Sequence, residues 1–172
     1  VLAAAAGVVV GFGLFRLVTP EPQLTIPYPS YSAQAPTYIS AGEAFANAET
    51  DGFIPGWTCE PEEFDENLRR VLGGFSLPVA QLPPSVQLLG WSVPANIGGP
   101  LMDPAEIVLL AESDTGPRLL FIALAVDARD PNLDVPAGLH VRETSAGALR
   151  LVEVSANPDS LLAEPLSAPT AP

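Results

Sequence analysis

The chain contains no lysine, one histidine and one cysteine in its 172 residues. The single cysteine, Cys59, excludes an internal disulfide framework and a cysteine-rich metal cluster. The lone imidazole, His140, offers too few nitrogen ligands for a typical transition-metal site, and no pattern around it indicates a catalytic triad. We therefore expect no bound metal and interpret His140 as a surface residue on a strand.

Positive charge is also scarce. Seven arginines stand against twenty acidic residues, so the formal net charge is −13. A protein this acidic repels the phosphates of nucleic acids and the head groups of anionic lipids. Nucleic-acid binding is therefore excluded, and peripheral binding to an anionic lipid surface is disfavoured.

Recognisable catalytic and cofactor-binding patterns are missing as well. Gly11-Phe-Gly13 lacks the third glycine of the dinucleotide fingerprint and lies in an apolar run rather than after a strand. Asp127, Asp130 and Asp134 resemble a calcium loop in spacing, but two prolines interrupt the segment and the glycine of an EF-hand is absent. We expect a non-enzymatic protein without a cofactor.

The chain does have a long apolar start. Val1 to Phe15 contains no polar side chain, and an apolar helix extended to Val18 would measure about 27 Å against a hydrocarbon core of about 30 Å. We expect a transmembrane anchor at residues 1–18, preceded by further residues in the full protein. A cleaved signal peptide is the alternative, although no small-x-small cleavage site follows.

Small residues recur within this run. Gly7 and Gly11, together with Ala3, are spaced by four residues, and such a face lets a partner helix approach closely. The ordinary glycine content of membrane helices explains the same pattern. Because arginine replaces lysine throughout and the acidic residues follow the anchor, we expect a single-pass protein of a bacterial inner (cytoplasmic) membrane with a periplasmic carboxyl-terminal domain.

A proline-rich linker is predicted at residues 19–54. Its first half contains closely spaced prolines that exclude a helix and favour extended polyproline geometry. Aromatic side chains are rare in pure spacers, yet tyrosines punctuate this one. We predict that the linker is a strap that docks on another subunit through Ile26, Tyr28, Tyr31 and Tyr38, with a solvated spacer as the alternative.

Residues 55–165 are predicted to form a small α+β domain with a mainly antiparallel sheet and one or two helices, followed by a tail at 166–172. A helix is expected at 61–72, because Phe64 and Leu68 share one face and acidic residues precede arginines along it. Short apolar runs separated by turn residues predict strands and two hairpins. The strands are expected at 86–93, 105–113, 118–126, 139–144 and 149–154, with Asp114-Thr-Gly-Pro117 as the turn of the first hairpin. The strand at 118–126 is apolar at nearly every position, so we expect it at the centre of the sheet and covered on both faces. Within the helix, Glu66 and Arg70 are expected to pair because they are four residues apart.

Two tryptophans stand in similar sequence settings. Trp57 and Trp91 each follow a glycine and precede a hydroxyl residue. Most tryptophans in such domains belong to the core, but either indole is also a candidate anchor for a partner protein.

Four segments also share a pattern with a known group of proteins: Gly56-Trp-Thr-Cys-Glu-Pro-Glu-Glu-Phe64, Leu88-Leu-Gly-Trp91, Val108-Leu-Leu-Ala-Glu-Ser-Asp-Thr-Gly-Pro-Arg-Leu-Leu-Phe121 and Leu149-Arg-Leu-Val-Glu-Val154. They resemble the extracytoplasmic domain of bacterial membrane-anchored anti-sigma-factor-like proteins. The resemblance implies a membrane span that leads to a small helix and a hydrophobic hairpin. The cytoplasmic sigma-binding helices that define the activity of that group are not among the matched residues.

Two functions follow from these features. We expect an accessory or scaffold subunit that stabilises a larger membrane complex through its anchor, linker and outer domain, with other membrane proteins and the bilayer as partners. The alternative is the sensor half of a transmembrane regulator, as the resemblance implies.

Overall fold

The computed structural model describes residues 35–58, 66, 68–70, 74 and 85–159. These residues contain a five-stranded antiparallel sheet with few helices, which confirms the small sheet domain expected from the sequence. Its strands lie in the order β1-β2-β3-β5-β4. The elements are α1 (Ala41–Thr50), β1 (Val86–Ser92), a 3-10 helix (Pro94–Ile97), β2 (Ile107–Ser113), β3 (Gly116–Leu124), β4 (His140–Ala146) and β5 (Leu149–Ser155).

Several sequence expectations fall outside these residues. The predicted anchor at 1–18 and most of the linker are not described, so the structure does not locate the membrane span. Among the described helices, none is long and apolar enough to cross a membrane. The predicted partner-binding residues outside the described ranges are Gly7, Gly11, Ile26, Tyr28 and Tyr31.

Both predicted hairpins are present. β2 and β3 pair from Ser113 and Gly116 outward, across the turn predicted from Asp114-Thr-Gly-Pro117. β4 and β5 pair from Ala146 and Leu149 outward. Gly147 has φ +60° in that turn, a conformation that glycine adopts without the steric cost of a side chain.

The sheet is buried on both of its faces. β3 lies at its centre, as predicted from the unbroken apolar run of that strand. Leu119 and Phe121 point to one face and Leu120 and Ile122 to the other, and all four are fully buried. This double burial explains why β3 lacks the alternation of polar and apolar residues that a half-exposed strand shows.

Helix α1 covers the face that carries Leu119 and Phe121, and it was not among the predicted elements. Ser40 caps its amino end: the Ser40 hydroxyl accepts from the Glu43 N–H at 3.2 Å, and the Glu43 carboxylate accepts from the Ser40 N–H at 2.8 Å. The buried side chains of α1 are small except for one phenylalanine, so the helix lies close to the sheet. They are Ala41, Ala44, Phe45 and Ala48.

The compact unit that contains the sheet begins at Ala35, whereas the sequence placed the linker through residue 54. Two loops form backbone hydrogen bonds with the residues around the start of α1. The Ile39 N–H donates to Pro100 O at 3.0 Å, and the Gly42 N–H donates to Asp134 O at 2.9 Å. Residues 35–54 are therefore part of the folded domain.

The predicted helix at 61–72 is described only in part. Residues 66 and 68–70 are helical and Leu68 is buried, as its position on the apolar face predicted. The expected pair between Glu66 and Arg70 is formed at 3.3 Å and is exposed to solvent.

Candidate binding groove

A polar groove lies at the end of β4 and β5 that is farthest from the turn joining them. Its volume is about 270 Å³, which matches one or two side chains rather than a large ligand. The groove combines a cation, a carboxylate, a hydroxyl and an imidazole. Its lining residues are Leu139, His140, Val141, Arg142, Glu153, Ser155, Asn157 and Pro158.

The strand register explains why these groups meet. Directly paired residues of an antiparallel sheet point to the same face. His140 pairs with Ser155 and Arg142 pairs with Glu153 between β4 and β5, while Arg118 on β3 pairs with Ser155. All five therefore lie on the face opposite α1, which we call the groove face.

Arg118 forms the buried floor of this cluster. Its side chain is fully buried, and its Nη1 donates to Glu153 Oε1 and to Asp159 O, each at 2.7 Å. Its Nε donates to Ser113 Oγ at 3.1 Å, and its Nη2 donates to Thr115 Oγ1 at 3.1 Å. A buried guanidinium is tolerated only when such partners replace its water. The buried Arg118–Glu153 ion pair therefore joins β3 and β5 at this end of the sheet.

The outer edge of β4 borders the groove. Within the described ranges, β4 pairs only with β5, and all seven of its residues are exposed or half-exposed. In a two-residue hairpin the pair beside the turn exchanges both hydrogen bonds, so alternate residues bond the partner strand. That register leaves the N–H and C=O groups of Val141, Glu143 and Ser145 directed away from β5.

At the opposite edge of the sheet, β1 pairs with the segment that contains Trp57. Trp57 and Trp91 exchange two backbone hydrogen bonds of 3.0 Å, and their rings stack with centroids 4.6 Å apart. The two similar Gly-Trp segments of the sequence therefore pair with each other. Trp91 is only 3% exposed, so its indole is part of the interior, and Trp57 forms the half-buried outer surface of the stack.

Gly90 makes this pairing possible. It has φ +149°, and a Cβ atom at this position would lie 2.2 Å from Trp57 O. No side chain larger than hydrogen fits at that distance. The glycine before Trp91 is therefore a requirement of the tryptophan pairing.

Tyr38 is the one predicted linker contact that the structure describes. The Arg129 guanidinium lies over its ring, with Cζ 4.1 Å from the centroid, which is a cation–π geometry. This contact is internal to the chain. Tyr38 therefore fastens the end of the linker to its own domain.

Glu106 lies apart from the groove and holds a loop. Its carboxylate accepts the N–H groups of Leu101 at 2.6 Å, Met102 at 2.8 Å and Asp103 at 3.2 Å. Burial raises the pKa of Glu106 to about 7, against the opposing effect of these hydrogen bonds. Because the Pro100 and Met102 carbonyls bind Ile39 and Arg129, Glu106 supports the contacts of the linker end.

No cluster of three or more metal-binding side chains occurs in the part of the chain that the structure describes. Comparison with protein families, curated proteins and solved structures finds no match. Within the described ranges, the groove and the edge of β4 present polar side chains and outward backbone groups to solvent.

Sequence reasoning placed His140 on the surface of a strand but missed the charged floor of the groove. Arg118 and Glu153 each interrupt an apolar strand, and charged residues are rarely buried without a partner. An arginine in one predicted inner strand and a glutamate in another was the available signal. What the sequence lacked was the register that places them opposite each other.

Proposed function

We propose that the chain is a non-enzymatic accessory or scaffold subunit of a larger membrane complex, which it binds through its outer domain, its linker and an anchor at residues 1–18. The observation that carries the binding role is the edge of β4 beside the polar groove. An edge strand with unpaired backbone groups is a ready template for a strand of another protein.

The distribution of polar groups supports a binding role for this surface. Arg118 and Glu106 are each occupied by several hydrogen bonds inside the domain. His140, by contrast, is exposed on β4. The interior charges thus maintain the fold, and the imidazole of His140 is exposed to a partner.

The test is purification of the tagged full chain from its native membranes in mild detergent, followed by mass spectrometry. A membrane protein should co-purify in fixed stoichiometry. Replacing Gly7 and Gly11 with leucine should release that partner while the chain stays in the membrane fraction. The matched control is Gly13→Leu, which lies off the face formed by the two glycines and should leave the complex intact.

Two outcomes would count against this function. A chain that purifies alone, or a complex whose stoichiometry varies between preparations, contradicts a subunit role. A complex that survives the double leucine substitution contradicts the contribution of the anchor.

The volume of the groove favours a second candidate, the sensor half of a transmembrane anti-sigma-like regulator. A cavity of about 270 Å³ accommodates a small group from a signal molecule or peptide. Co-purification of a sigma factor, rather than a membrane complex, would select this function.

A further inference from the structure

We propose that the edge of β4 pairs with β4 of a second copy of this chain, antiparallel and with Thr144 on the two-fold axis, so that two domains share one continuous sheet. This inference rests on the binding function proposed for this edge and names the strand that it accepts. Two-fold pairs are the commonest form of protein oligomer.

The edge of β4 is open to another strand. The chain contains no lysine, β4 contains no proline or glycine, and its register with β5 runs without a bulge from His140 to Ala146. Proteins use such residues and bulges to keep exposed edges from pairing. The outward backbone groups of β4 are those of Val141, Glu143 and Ser145, and all seven residues of the strand are exposed or half-exposed.

The charges of β4 favour a neutral partner strand. Apart from His140, its ionisable residues are Arg142 and Glu143, which have opposite sign. Glu143 binds Arg150 Nε at 2.5 Å, and Arg142 also has an interaction partner. The edge therefore selects neither an acidic nor a basic strand, and a second β4 meets this requirement. Each copy carries a net charge of −13, so a neutral edge is also where two copies repel each other least.

Like charges decide among the registers of such a pair. To pair at least five of the seven residues of β4, the two-fold axis must pass at Arg142, Glu143 or Thr144. An axis at Arg142 or at Glu143 places two like charges directly opposite each other, which destabilises the pairing. An axis at Thr144 places two threonines opposite each other, which is favourable. Glu143 then lies opposite Ser145 of the second copy, and these residues exchange both backbone hydrogen bonds.

The symmetry of this pair also suits two copies that are held in one membrane. Directly opposite residues of antiparallel strands point to the same face, so the two-fold axis stands perpendicular to the sheet. Helix α1 therefore lies on the same face of the shared sheet in both copies. Ile39, which precedes α1, packs against the apolar cluster of that face. Both chains thus enter their domains on one side of the sheet, as the proposed anchors require.

Disulfide cross-linking tests this arrangement in the full chain, purified in mild detergent. Thr144→Cys is made in a Cys59→Ser background, so that the new thiol is the only one in the chain, and oxidised glutathione is the oxidant. Opposite residues of the closely spaced kind have Cα atoms about 4.5 Å apart, within the range that a disulfide spans. Thr144→Cys should form about tenfold more covalent dimer than the matched control Ser145→Cys, although Ser145 is the more exposed residue.

Proline at residue 145 tests the backbone hydrogen bonds. In the Thr144→Cys background, Ser145→Pro removes the outward N–H that bonds the second copy, whereas the bonds to β5 belong to the neighbouring residues. The yield of covalent dimer should fall about tenfold. The matched control Ser145→Ala retains the N–H and should leave the yield unchanged. Circular dichroism establishes that each variant is folded.

The outcomes are distinct. Equal yields from Thr144→Cys and Ser145→Cys, no dimer from either, or an unchanged yield in a folded Ser145→Pro variant overturns the proposal. If Ser145→Pro does not fold, the two cysteine variants decide. If a membrane complex co-purifies in fixed stoichiometry but Thr144→Cys forms no dimer, this inference fails and the subunit function stands. If the dimer forms but no membrane protein co-purifies, the pairing stands and the subunit function fails.

Discussion

Arg118 shows what a buried charge requires in a domain of this size. It has hydrogen-bond partners on all three of its nitrogen atoms. In the part of the chain that the structure describes, no buried side-chain nitrogen or oxygen lacks a hydrogen-bond partner. The cost of removing water from the guanidinium is therefore offset by these hydrogen bonds. Removing either Arg118 or Glu153 leaves the other charge buried without this compensation and should destabilise the fold.

We expect Arg118→Met to lower the free energy of unfolding by about 3–5 kcal/mol, because Glu153 keeps its buried charge without its closest cation. The double variant Arg118→Met/Glu153→Gln should recover part of this loss. Urea denaturation gives the values. Arg150→Met is the control, since its ion pairs are near the surface and should contribute less than about 1 kcal/mol. Equal effects of the two arginine substitutions would contradict a special role for the buried pair.

Glu106 predicts a dependence of stability on pH. Its folded-state pKa of about 7 lies above its ordinary value of 4.5, so the folded state holds this proton more tightly. The stability that this proton gives is complete below about pH 4.5 and is lost as the pH rises through about 7. The difference between the parent and Glu106→Gln should therefore fall by roughly 3 kcal/mol over this interval.

Urea midpoints measured at several pH values in both proteins check this prediction, because subtraction removes the titration of the other acidic residues. A difference that increases with pH would mean that the three N–H groups hold Glu106 in its charged form.

At the scale of elements, local signals were sufficient for the hairpins. Asp114-Thr-Gly-Pro117 has turn chemistry, and the apolar run of β3 predicted a strand covered on both faces. Helix α1 was missed because its buried residues are mostly alanines and a proline-rich segment precedes it. The available signal was the capping pair Ser40 and Glu43, whose spacing is typical of a helix start.

The groove could not be predicted as a unit for a different reason. His140 and Arg142 are two residues apart in the sequence, but Glu153 and Arg118 come from other strands. Only the pairing of β4 with β5 and of β5 with β3 joins them. No pattern in a single segment specifies that register, although each charged residue within an apolar strand indicates a buried partner.

The junction of the Trp57 segment with β1 gives an element-scale prediction. Gly90→Ala would place a Cβ against Trp57 O and should destabilise the fold by about 1–3 kcal/mol. Because the chain has two tryptophans and they stack on each other, the near-ultraviolet circular dichroism of the pair should change with it. Gly116→Ala is the matched control: its φ is +114°, yet a Cβ there meets nothing within 4 Å. A similar spectral change in both variants would contradict the steric argument.

At the scale of the whole molecule, the tyrosines of the linker divide into two classes. Tyr38 contacts Arg129 of its own domain. Tyr28 and Tyr31, in contrast, are proposed to contact another subunit. We expect Tyr28→Ser/Tyr31→Ser to weaken co-purification of the complex without changing the melting temperature of the isolated chain.

Tyr38→Ser supplies the matched control for this prediction. It should lower the melting temperature, because it removes the cation–π contact, worth about 0.5–1 kcal/mol at an exposed site. If the Tyr28/Tyr31 variant assembles as well as the parent, the linker is a spacer.

The strand order has a consequence for how the protein is synthesised. Of the strands that the structure describes, β5 is the last to leave the ribosome, yet it lies between β3 and β4 and α1 packs against it. Until β5 emerges, the ten-residue helix α1 lacks part of the apolar surface that it packs on, namely Val152 and Val154, and helices this short are marginal in water. The sheet of the nascent domain therefore stays incomplete until β5 is made. A chain that terminates before Leu149 would expose the apolar β3 to proteases and to aggregation.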